Sequence, residues 1–168
     1  MSHLLVEGFH LLEFEHLIQI NDLSDGSLTP LSRTQLWHGL LLRARQPDKF
    51  NPALESRIER VSETEFLRFI TAGSSRFEER VLLSPMTKIA SKTAGGSAAF
   101  LAESLVEIEE IKSGFLFVRF TYRRELVEDD DQVNLAEHLK SAYVQMDRDA
   151  IRQIRELANS GALETMIN

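Results

Sequence analysis

The 168-residue sequence contains no cysteine. Disulfides, thiolate zinc sites, iron–sulfur clusters and cysteine nucleophiles are therefore excluded. Basic charge is also in short supply. The 19 Lys and Arg residues stand against 26 Asp and Glu, a formal net charge of −7. A nucleic-acid binder needs a basic face to displace counterions from phosphates, so no nucleic-acid partner is expected. The same sign disfavours docking on an anionic membrane surface. No stretch reaches the roughly 18 consecutive apolar residues of a membrane span, so no membrane insertion is expected either. The opening MSHLLVEGFHLLEFEH lacks a basic start and is interrupted by Glu7 and Glu13, so it reads as mature protein rather than a signal peptide. These absences together predict a cytoplasmic protein.

Chemical motifs are missing too. His3, His10, His16, His38 and His138 include no i,i+4 pair and no HExxH, so no metal is expected. Gly95–Gly96–Ser97 does not match a phosphate-binding glycine motif and is expected to be a turn. No cofactor is implied. The acidic run Glu128–Asp131 lacks the spaced oxygens of a calcium loop and reads as a solvated loop and helix start. There is no repeat, linker or low-complexity segment, which predicts one domain over 1–168; nothing in the sequence sets its oligomeric state.

Hydrophobic residues make up 43% of the chain and charged residues 27%, which suits a folded core rather than disorder. Segment 14–21, with Ile18 and Ile20, predicts a strand, and Asn21 to Ser27 predicts a turn. Thr29–Pro30 is a helix start signal. The helix it opens carries Leu36, Trp37, Leu40, Leu41 and Ala44 and should stop near Arg45, before Pro47. Runs 54–62, 65–72, 76–83, 87–93, 99–111 and 115–127 alternate with turn residues. Their connections are too short for crossover helices, so they should form an antiparallel meander. From Asp131 to Asn159, Leu135, Leu139, Ala142, Tyr143, Met146, Ala150, Ile151, Ile154 and Leu157 mark one helix face, with Gly161 closing the helix.

Those elements predict an α+β fold: a curved seven-stranded antiparallel sheet wrapped around a long C-terminal helix, with short helices after strand 1. A curled sheet touching a single rod leaves space that large side chains or a guest must fill. The order resembles the helix-grip fold of the START and birch-pollen-allergen (SRPBCC) superfamily. Residues 14–21 and 29–52, with Leu36–Trp37–His38–Gly39–Leu40 and Phe50–Pro52, and FVRFTYRRE at 117–125, resemble its AtaL-like branch. The resemblance implies a small apolar or amphipathic ligand under the long helix. It also implies an alternative, a polyketide cyclase or dehydratase working in the same cavity.

Strand parity selects the candidate ligand-binding residues. Glu79 shares a face with Phe77, Val81 and Leu83, which aims a carboxylate into an apolar cavity as proton donor or anchor. Its plainer role is an ion pair with a basic neighbour such as Arg60. Tyr122 points inward with Leu116, Val118 and Phe120, toward a ligand oxygen, Glu79 or backbone. Ser104 points inward with Ala102, Val106 and Ile108. Trp37 is a candidate for stacking at the entrance, or a core anchor. Tyr143 and Met146 lie mid-stripe on the long helix, against a ligand or against the sheet.

Overall fold

The computed structural model describes residues 9–96, 101–127 and 132–167. Strands β1 (Phe9–Gln19), β2 (Leu54–Ser62), β3 (Glu65–Ala72), β4 (Ser75–Ser84), β5 (Lys88–Gly96), β6 (Ala102–Lys112) and β7 (Phe115–Val127) form one antiparallel sheet. Its spatial order is β1-β7-β6-β5-β4-β3-β2, a meander closed by β1 returning to pair with β7. Helix α1 (Arg33–Arg45) and a 3-10 turn (Pro47–Lys49) connect β1 to β2. The long helix α2 (Gln132–Ser160) is followed by a short α3 (Ala162–Ile167). The helix-grip architecture expected from the sequence is the one observed.

Several boundaries differ, each for a local reason. β1 starts earlier than residue 14 because its ladder with β7 runs from Phe9 opposite Val127 to Gln19 opposite Phe117. Asn21, expected in an open turn, is buried. Its side chain donates to the Leu31 and Gly114 carbonyls and accepts from the Leu31 amide. That latch draws the loop back onto the sheet, and α1 is capped by Ser32 rather than by Thr29. The Ser32 hydroxyl accepts from the Gln35 amide while the Gln35 side chain accepts from the Ser32 amide, a capping box. α1 stops before Pro47 as the sequence requires. Gly161 ends α2 at φ 76°, and the chain then forms α3, which the sequence reading did not foresee. Gly95 and Gly96 belong to the end of β5 rather than to a turn, while Ser97 and the acidic run 128–131 lie outside the described residues.

The inner sheet face and the helices bury the core. Phe66, Val81, Leu83, Ile89, Ile108, Leu116, Val118 and Phe120 pack with Leu36, Trp37 and Leu40 of α1 and Ile151 and Ile154 of α2. α1 passes close to α2 at Gly39. A β-carbon there would stand 2.3 Å from Ile154 Cγ2, so only glycine fits. Burial is uneven along the strands. On β7 the inward side chains Leu116, Val118 and Phe120 are sealed, and Tyr122 and Arg124 are only half-buried. On β4 Val81 is sealed and Glu79 and Phe77 are half-buried. On β5 the change falls between Ser91 and Thr93. Beneath α2 the inward side chains are therefore sealed at one end and half-exposed at the other.

The sheet also splays at the looser end. Backbone pairing of β5 with β6 ends at Lys92 opposite Glu103. Beyond it the Thr93 hydroxyl takes over, donating to the Ala102 carbonyl and accepting from the Ala102 amide. A register shift across Glu78 and Glu79 places an extra β5 residue, Ala94, at the same point.

Candidate functional site

The side chain at the centre of the helix–sheet contact is Asp147. It sits on the inner stripe of α2 and is fully buried. Its Oδ2 accepts from His16 Nε2 of β1 at 2.7 Å and from the Tyr122 hydroxyl of β7 at 2.6 Å. Its Oδ1 accepts from Arg43 Nη1 of α1 at 2.8 Å. A buried carboxylate is tolerable only when paired and hydrogen-bonded, and here four elements converge to satisfy it.

The ring systems around this carboxylate are ordered by strand register. Tyr122 lies opposite Phe14, and Phe120 opposite His16. The His16 ring stacks offset on Phe14 (5.5 Å) and Phe120 (5.1 Å). Tyr143, one helical turn before Asp147, stacks on Tyr122 with centroids 4.0 Å apart. Tyr122 is thus clamped between a ring and a carboxylate. Burial, helped by the Asp147 charge, pushes its phenol well above the ordinary tyrosine range, and Arg43 partly opposes that shift.

A second polar group lies on the inner face toward the looser end. Arg68 of β3 grips Glu79 with two contacts, Nε to Oε1 at 3.3 Å and Nη2 to Oε2 at 3.1 Å, and also donates to the Ala44 carbonyl of α1. The Ser91 and Ser104 hydroxyls bond to each other across β5 and β6. Phe66, Val81, Ser91, Ser104, Tyr122 and Phe14 form one continuous cross-strand row beneath α2.

The candidates from sequence are dispersed by this geometry. Tyr122, Tyr143 and Ser104 border the gap. Trp37, Val81 and Phe120 are core side chains. Glu79 is held by Arg68, not by Arg60, because Arg68 is its direct neighbour across β3 and β4. Both carboxylate oxygens are engaged, which removes the basis for Glu79 as a proton donor partnered by Tyr122. Met146 is 44% exposed and faces outward, beside Arg43, Phe50 and Asp149 at a hollow of about 280 Å³. Its position on α2 points toward the 3-10 turn rather than to the sheet.

Sequence reasoning passed over Asp147, His16 and Arg43. Two of them had left a signal. Asp147 falls inside the apolar stripe between Tyr143 and Ala150–Ile151, and His16 shares strand parity with Phe14, Ile18 and Ile20. Among the described residues no group of His, Asp and Glu is arranged to hold a metal ion. No described helix is long and apolar enough to cross a membrane.

Guest-sized space was expected between sheet and long helix. A hollow of about 650 Å³ lies mostly on the opposite, outer face, lined by Arg80, Leu82, Ala90, Lys92, Leu105, Thr121 and Arg123, with Ser91, Thr93 and Ser104 contributing where β5 and β6 splay. The saddle shape of a twisted sheet makes such an outer concavity. On the inner face, Tyr122 of β7 and Tyr143 of α2 stack across the helix–sheet boundary.

Fold and connectivity define a helix-grip protein, a curved antiparallel sheet closed on a long C-terminal helix. Solved structures that share the fold do so at low identity, as three of them show. The didomain aromatase/cyclase StfQ from the steffimycin biosynthetic pathway aligns with TM-score 0.68 and 9% identity over 90% of this chain and 52% of that one. This chain thus spans about half of that didomain. The Zhui aromatase/cyclase from a Streptomyces species aligns with TM-score 0.62 and 13% identity over 95% and 97% of the two chains. Norcoclaurine synthase from Thalictrum flavum, in complex with dopamine and hydroxybenzaldehyde, aligns with TM-score 0.61 and 11% identity over 90% and 88%. Within this class the chain belongs to the AtaL family, described as acetylaranotin biosynthesis cluster protein L, matched over residues 18–161. No curated protein sequence matches it.

Proposed function

We propose that the chain binds a small hydrophobic or amphipathic molecule in the looser half of the gap between the inner sheet face and α2. The observation that carries this reading is the burial gradient. Ile70, Phe77, Thr93, Ser104 and Tyr122 lie on the same face as the sealed core, yet they are only half-buried. Apolar and hydroxylic side chains left half-covered in a concave site are the usual lining of a small-molecule pocket. The fold neighbours support the reading, since they include aromatase/cyclases and a synthase solved with two small aromatic compounds. Family membership supports it too, because the family is described by a biosynthesis cluster.

The test is displacement of a fluorescent apolar probe, together with native mass spectrometry of gently purified protein. Binding is expected in the wild type and is expected to fall at least tenfold in Ser104→Trp, whose indole would fill the row between Ser91 and Tyr122. Absence of probe binding and of any co-purifying mass would overturn the reading.

A further inference from the structure

We infer that the free edge of β2 is a self-association surface whose occupant is a second copy of this chain, paired antiparallel about a twofold axis through Ile58.

β2 ends the sheet on the side away from β1, and among the described residues its strand neighbour is β3 alone. Its outward side therefore presents backbone donors and acceptors that an added strand can take up. Ile58, at the midpoint of the strand, is 38% exposed, and Arg57, Glu59 and Arg60 are exposed around it. Charged side chains commonly blunt a sheet edge, but here their order is self-complementary. Antiparallel pairing centred on Ile58 sets Arg57 opposite Glu59 of the second copy, and Glu59 opposite its Arg57. The four charges then alternate around a square, because Arg57 Nη1 already donates to Glu59 Oε1 at 2.8 Å along its own strand. Phe69 of β3 holds Arg57 in place, with its ring centre 3.9 Å from the guanidinium carbon. On the other face Ile58 meets Ile58. Arg60 there meets Ser56, whose hydroxyl is bonded to the Asp48 carboxylate.

The same charges select the register. Centring the pair on Arg57 sets that residue against itself and Glu55 against Glu59, and centring it on Glu59 sets two glutamates together. The far edge lacks this property: paired about its midpoint, Phe14, β1 would oppose Glu13 to Glu15. The ladder of β2 with β3 slips beyond Arg60, so the regular contact spans 56–60 in each copy. So short a ladder makes a weak, reversible dimer at the low end of interface sizes. A twofold axis perpendicular to the sheet keeps both α2 helices on one side of the joined sheet.

Sedimentation equilibrium of the full chain tests this, with circular dichroism confirming that each variant is folded. Wild type should show a monomer–dimer equilibrium at protein concentrations on the order of 100 μM. Arg57→Glu and Glu59→Arg each place like charges opposite one another, and each should weaken the dimer by roughly tenfold or more. An equimolar mixture of the two variants should dimerise about as tightly as wild type, because both cross-strand charge pairs in the heterodimer are then of opposite sign. A monomeric wild type, a dimer indifferent to both substitutions, or a mixture no tighter than its components would each overturn the inference. Weakening by Arg57→Glu with none by Glu59→Arg would overturn it too, since that result moves the axis to Ser56, where Arg57 opposes Glu55.

Discussion

Asp147 and Tyr122 meet at 2.6 Å across the helix–sheet boundary, joining a fully buried carboxylate to a phenol that has no other hydrogen-bond partner among the described residues. The contact fastens α2 over the sheet, with Arg43 and His16 completing the carboxylate's shell. Its energetics are asymmetric, because removing the carboxylate leaves a guanidinium, an imidazole and a hydroxyl without their shared acceptor.

Asp147→Ala should therefore destabilise the fold by about 3–5 kcal/mol, the range for breaking a buried ion pair from one side. Asp147→Asn, which keeps the shape and one acceptor oxygen, should cost less. Urea unfolding followed by far-ultraviolet circular dichroism checks both, and equal stability of Asp147→Ala and wild type would refute the account.

Tyr122 sets an alkaline limit. Its folded-state phenol is raised above the ordinary value near 10, so the stability it contributes is fully present below about pH 10 and is lost as pH rises toward the folded value. Ultraviolet titration of the folded protein should show Tyr122 silent until unfolding. Tyr122→Phe should lose roughly 1.5–3 kcal/mol at neutral pH, for a hydrogen bond to a charged group, and should show a flatter decline above pH 10.

Gly39→Ala tests the crossing of α1 over α2. The added methyl collides with Ile154, so despite alanine's better helix propensity the variant should lose about 1–3 kcal/mol. The double change with Ile154→Val should recover part of that loss, which thermal unfolding would detect.

Glu79→Gln should leave apolar probe binding within about threefold of wild type. The glutamine still hydrogen-bonds to Arg68, and the side chain serves the β3–β4 pair rather than a guest. Loss of binding in this variant would restore Glu79 as a ligand anchor.

Much of the fold was legible because turns punctuate it. β2, β3 and β7 run where the sequence placed them, since Gly73 and the Ser113–Gly114 pair admit the left-handed turns between strands. The inward parity of Val81, Phe120 and Ile108 held for the same reason. The site was less legible. Asp147 interrupts an apolar stripe, and a lone acid in such a stripe has no visible purpose until its partners are known. Those partners lie 131, 104 and 25 residues away in the chain, on three other elements, and only the folded register brings them together. Hollow positions are equally opaque, because a sheet's saddle shape emerges from the summed twist of all its strands.

The pairing of β1 with β7 has a consequence for biogenesis. β1 finds its sheet neighbour among the described residues roughly a hundred positions later in the chain, at Phe9 opposite Val127 and Gln19 opposite Phe117. A nascent polypeptide leaving the ribosome therefore carries this aromatic-rich segment unsatisfied until nearly all of the sheet has been translated. Such late closure slows folding and leaves an adhesive strand available to chaperones or to neighbouring chains in the interval.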